Sequence, residues 1–167
     1  MSSSADSSPS CVQRAYLYLA RDVETAGPPY SVDELQLMAF DPDEVSRIVG
    51  LQPTMAWQRG APHPNRPGPR QFSAWEYSPA PVRTYRSEEV VARLLDDVEP
   101  YATGIAEACK SLGMRAGVAV VIEMTARRDH QDLDITTAAV GYSAETIGRL
   151  ARLSLALEHD QYLYVDE

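Results

Sequence analysis

Lysine is nearly missing from this chain: of its 15 basic residues only Lys110 is a lysine, and there are just two cysteines. No apolar run approaches the ~18 to 20 residues a membrane-spanning helix needs, so no membrane role is expected. Cys11 and Cys109 sit in a serine-rich start and a predicted helix, which argues for two free thiols rather than a disulfide framework. Cys-x-x-Cys, His-Glu-x-x-His and Gly-rich phosphate loops are all absent, and no cofactor is expected. A net charge of −9 works against binding nucleic acid or anionic lipid, which needs clustered cations. The opening MSSSADSSPS lacks the basic and apolar regions of a secretory signal, so a cytoplasmic location is the expectation.

What remains fits one globular unit. At 167 residues and 44% apolar content, folding buries roughly 70% of the surface the unfolded chain exposes. Residues 1–12 read as a disordered tail and residues 13–167 as a single α+β domain. AYLYLA alternates as a strand does, and ELQLMAF at 34–40 reads as a second strand. Asp41, Pro42, Glu44 and Gly50 delimit a helix; AWEY at 74–77 is a strand. A helix from Ser87 is interrupted at Pro100 and stops at Gly113. GVAVVIEM and DITTAAVGY pair as strands across a polar turn, Ser143 caps a last helix, and QYLYV is a closing strand.

FDPDEVSRIVGL and YSAETIGRLARL echo one another, as do YLYL at 16–19 and YLYV at 162–165. Two related strand-helix-strand halves would leave this echo, and so would any two capped amphipathic helices. The architecture expected is one mixed or mostly antiparallel sheet with helices packed on one face.

Residues 51–77 hold both tryptophans, five of the 12 prolines and three arginines. A Pro/Gly-rich stretch normally marks a linker. Here Trp57 precedes the proline-rich tip and Trp75 follows it, and indoles are usually buried, so a loop clamped at both roots is expected. Its prolines lower the entropy lost on ordering, and Arg59, Arg66 and Arg70 make it cationic within an acidic chain. Solvated arginines that keep the loop soluble are the competing explanation.

The run GLQPTMAWQRG resembles the hallmark of an uncharacterised bacterial family, domain of unknown function 4279. The matching positions are Gly50, Leu51, Pro53, Thr54, Trp57, Gly60 and Trp75, with Asp160 and Tyr162 near the end. The resemblance covers about residues 34–165 and implies fold and boundaries, with no activity attached. The segment 16–33 departs from it as an insertion or an added strand.

The chemistry-bearing residues are sparse. His130 lies among Asp129, Asp132 and Asp134, yet a polar hairpin turn draws on the same residue types, so no metal is expected. The leading expectation is a nonenzymatic binding module that contacts a protein or peptide partner through Trp57, Arg59, His63, Arg66, Arg70, Trp75 and Tyr77. The alternative is an enzyme holding a small anionic ligand as substrate at that loop, with Arg59, His63 and Tyr77 as the groups to test. Self-association through edge strands is a third reading.

Overall fold

The computed structural model describes residues 10–25, 27–129 and 132–166. Among them, seven strands form one sheet: β1 (Ser10–Arg21), β2 (Met55–Trp57), β3 (Ala74–Tyr77), β4 (Val82–Arg83), β5 (Met114–Asp129), β6 (Asp132–Asp134) and β7 (Ala156–Asp166). The helices are α1 (Val32–Leu37), α2 (Pro42–Val49), α3 (Ser87–Val98), α4 (Ala102–Leu112) and α5 (Ala144–Arg152). β1 and β5 form the centre, paired antiparallel from Ser10↔Thr125 to Arg21↔Met114. β3 and β4 share the other edge of β1, and β2 follows β3. β7 runs parallel to β5 on its far side. The sheet is therefore mixed and mostly antiparallel, as expected, and the protein is α+β.

Alternation along β1 explains the layering. Cys11, Gln13, Ala15, Leu17 and Leu19 are buried against Val90, Val91, Leu94 and Leu95 of α3, whereas Arg14, Tyr16 and Tyr18 face the side without helices. Gln13 is buried but satisfied: its amide donates to the Thr84 carbonyl at 3.1 Å and its oxygen accepts from Ser87 at 2.8 Å. Gly104 lets α4 approach the end of α2, where a Cβ would overlap the Val49 carbonyl oxygen.

Several expectations need correction. β1 begins at Ser10, inside the stretch expected to be tail, because Cys11 has a fully buried place opposite Met124. Residues 1–9 lie outside the described residues. The segment 34–40 is not a strand: Ser31 and Glu34 close a reciprocal capping box, at 3.2 and 2.7 Å, that starts α1. Beyond Asp134 the chain leaves β5, because Ala139 donates to the Tyr85 carbonyl and accepts from the Ser87 amide. The echoing strands β1 and β7 lie on opposite sides of β5, with Tyr18 level with Gly117 and Tyr162 level with Glu123.

Trp75 is fully buried, and its indole N–H donates to Ser46 Oγ of α2 at 2.9 Å. Ser46→Ala should cost about 1–3 kcal/mol, measured by chemical denaturation, because it strands a buried donor. At the α5–α3 seam, Arg149 grips Glu99 with two hydrogen bonds, at 2.7 and 3.0 Å, which hold that carboxyl below its ordinary value. A lowered carboxyl stabilises the fold above its unfolded value, and that contribution disappears as pH falls through the folded one. Glu99→Gln should therefore lower Tm at neutral pH, by the equivalent of about 1 kcal/mol for a partly exposed pair, with the difference closing in acid.

Candidate functional site

β2 and β3 pair antiparallel, with Trp57 opposite Ala74 and Ala56 opposite Trp75, so the proline-rich stretch is the connection of a hairpin. It is ordered by backbone bonds of its own. Gly60 N–H donates to the Arg70 carbonyl at 2.9 Å, Arg70 N–H donates to Ala61 at 2.8 Å, and Pro62 bridges Pro69. The two Pro positions cost this inner ladder no donor it uses.

Ser73 fastens the root. Its hydroxyl accepts from the Phe40 and Arg59 amides, both at 3.1 Å, and donates to the Phe40 carbonyl at 2.7 Å. One side chain thus ties both arms of the hairpin to the segment entering α2. The two indoles divide the labour differently from expectation. Trp75 is in the core, but Trp57 lies on the helix-free face, half-buried, with the Arg70 guanidinium 3.8 Å above its ring. Alternation in short strands makes this unavoidable, since opposed positions share a face and Trp57 opposes Ala74 rather than Trp75. The contact contributes ~0.5–1 kcal/mol at an exposed site.

Together these groups frame a concavity of about 400 Å³, lined by Trp57, His63, Arg66, Arg70, Gln71, Phe72 and the 67–69 backbone turn. Its lining contains two guanidinium groups and no carboxylate. His63 Nδ1 accepts the Asn65 backbone N–H at 3.1 Å, which places the neutral ring's proton on Nε2. Phe72 is 40% exposed and meets Tyr30 edge to face with ring centres 5.8 Å apart.

Of the seven residues anticipated from sequence, Trp57, His63, Arg66 and Arg70 come together here. Arg59 turns outward and donates to Gln36 of α1 at 2.7 Å. Trp75 and Tyr77 lie on the helix side of the sheet, where the Tyr77 hydroxyl donates to Asp97 at 3.1 Å. Sequence reasoning missed Gln71, Phe72 and Ser73. Phe72 carried a usable signal as one of only two phenylalanines, placed within the polar run; a lone serine carries none.

Two other hollows bear on chemistry. On the helix-free face, Tyr16, Tyr18, Glu76, Arg115 and Glu158 border a hollow of about 260 Å³. The Tyr18 hydroxyl donates to Glu158 at 2.6 Å, and its ring covers Gly117, where a Cβ would overlap it. Burial, and then the Glu158 carboxylate, push Tyr18 up to about 12. Burial likewise raises Glu76, with Arg14 opposing. Between α4 and the turn into β7, Ile105, Cys109, Met114 and Leu153 line a recess of about 570 Å³, and burial pushes the Cys109 thiol up, away from a reactive thiolate. Among the described residues no cluster of His, Cys, Asp and Glu is arranged to hold a metal ion, and no helix is long and apolar enough to cross a membrane. His130 lies outside them.

Ser73→Ala should free the loop root while Trp75 keeps the core folded. Limited proteolysis should then cut within 60–70 severalfold faster than in the wild type, with far-UV circular dichroism unchanged. An unaltered cutting rate would mean that Ser73 does not hold the loop.

The hairpin built on Pro53, Thr54, Trp57 and Trp75 is the part of the chain with the most distinctive residue pattern, and Thr54 secures it by accepting the Ser78 N–H at 3.0 Å and donating to the Glu76 carbonyl at 3.2 Å. No curated protein and no solved structure matches the chain. A family model, that of a domain of unknown function (DUF4279), matches residues 32–164, and the chain belongs to that family.

Proposed function

We propose that this protein is a nonenzymatic, cytoplasmic binding module whose hairpin loop takes an acidic segment of a protein or peptide partner. The observation that carries the reading is the Arg70 guanidinium stacked 3.8 Å over Trp57 beside Arg66 and His63, in a hollow without a single carboxylate, on a chain of net charge −9. Segregating the cations this way leaves a local anion site that the rest of the surface does not compete for. A guanidinium resting on an indole face still has N–H groups to offer in the fork that matches a carboxylate.

The surroundings favour a peptide over a bare ion. Exposed Phe72 borders the hollow, and exposed Met55 lies two residues from Trp57 on the same face of β2. Aromatic residues, methionine and arginine gathered on one face are the residue types enriched at interface cores and hot spots. The groups in the hollow also suit holding better than turnover: the His63 tautomer presents N–H rather than a lone pair at Nε2, and no hydroxyl, thiol or carboxylate nucleophile lines it.

A displayed random-peptide library should yield binders enriched in Asp and Glu, and their binding should shift the Trp57 fluorescence. Arg70→Ala and Arg66→Ala should each weaken the selected peptides about ten- to a hundredfold, the range for losing a charge-assisted pair. Selection of peptides without acidic residues, or binding indifferent to both substitutions, contradicts this function.

A further inference from the structure

The two ends of the sheet are finished differently. β2 closes one end with only three residues, Met55–Trp57, a short edge of the kind that resists strand addition. β7 closes the other with 11 residues, Ala156–Asp166, in unbroken register with β5 from Gly117↔Ala156 to Arg127↔Asp166. Among the described residues its outer edge pairs with no strand. The stretch has no proline, no lysine or arginine and no bulge in the register, and the edge charges Glu158 and Asp160 lie in its first half. Instead four consecutive apolar or aromatic side chains are exposed, Tyr162 48%, Leu163 47%, Tyr164 51% and Val165 40%, two on each face. A long edge with apolar side chains and an open row of N–H and C=O groups is a template for another strand.

We propose that the occupant is a second copy of this chain, joined antiparallel through β7 so that one sheet runs continuously across both protomers. Residues opposed across an antiparallel seam share a face, so a twofold axis that keeps both helix layers on one side passes through a residue. Pairing the whole strand puts Gln161 on that axis. In this register Leu157 meets Val165 and His159 meets Leu163 on the helix side, while Asp160 meets Tyr162 and Glu158 meets Tyr164 on the other. Each apolar residue finds an apolar or imidazole partner, and the carboxylates of residues 158 and 160 meet phenols that can donate to them. Neighbouring registers fit worse. An axis through Asp160 sets Asp160 against itself and one through His159 sets Glu158 against Asp160, while axes through Tyr162 and Leu163 set Gln161 against Leu163 and against Val165 and leave Leu157 outside the paired stretch. Like charges directly opposed destabilise a strand pair, so in an acidic strand the complementary register is selected by exclusion.

The axis position makes the proposal testable without disturbing the fold, since Gln161 is exposed. Sedimentation velocity of the wild-type chain over a micromolar range should show a concentration-dependent monomer–dimer equilibrium. Gln161→Glu and Gln161→Lys each place two like charges against one another and should dissociate severalfold more readily. An equimolar mixture of these two variants should restore the dimer as a heterodimer, because glutamate then faces lysine. A wild-type chain that stays monomeric throughout, or a mixture no tighter than its components, overturns the proposal.

Discussion

The indole of Trp75 is the point on which the candidate site depends. β3 is only four residues long, and on its own could not hold a 16-residue connection in place, 58–73. Burying that ring against α2, with its N–H taken by Ser46, fixes β3 in the sheet and so fixes where the hairpin leaves it. A buried tryptophan is worth ~3–5 kcal/mol against alanine, comparable with a large share of a small domain's net stability. The polar root through Ser73 and the stack of Arg70 on Trp57 add order beyond that fixed point. Their individual energies are small, but each acts on a chain whose prolines have already removed much of its freedom.

Charge follows the same architecture. Acidic side chains populate the helix surfaces and β7, while the hairpin carries arginine without a carboxylate at its hollow. Two arginines elsewhere are held by carboxylates: Arg149 by Glu99 and Asp96, and Arg115 by Glu158 beside Tyr18. Arg66 and Arg70 instead line the open hollow without a carboxylate partner, Arg70 resting on the Trp57 ring. That contrast separates a recognition group from a structural one more sharply than arginine content does, because guanidinium groups serve both purposes.

Much of the fold was legible because the deciding signals were local. The Asp41-Pro42 start and left-handed Gly50 end of α2, the interruption at Pro100, and the stop at Gly113 all follow from backbone constraints that a sequence displays directly. ELQLMAF at 34–40 was ambiguous because a short apolar run satisfies both periodicities, and the Ser31 cap that, with Glu34, decides it lies three residues before the run. The departure of 135–141 from β5 was illegible, since Ala139 is held by backbone groups of Tyr85 and Ser87 some fifty residues away. For the site, rarity pointed to the right loop. Which side chains converge was set by strand register, and two tryptophans that look equivalent in sequence were placed on opposite faces by it. Tyr77 was drawn to the helices for the same reason.

The claim that underlies the rest is that the hairpin loop is ordered before anything binds it. Native-state hydrogen exchange on the unliganded protein tests this most directly, read at the Phe40, Arg59, Gly60 and Arg70 amides that the root and inner ladder employ. The account predicts that all four exchange far more slowly than an unstructured chain, while the Arg66 and Gly68 amides at the tip, which take part in no backbone bond of that ladder, exchange fast. Uniformly rapid exchange from 58 to 73 would show a loop that is unordered until it binds, and the preformed site would have to be abandoned.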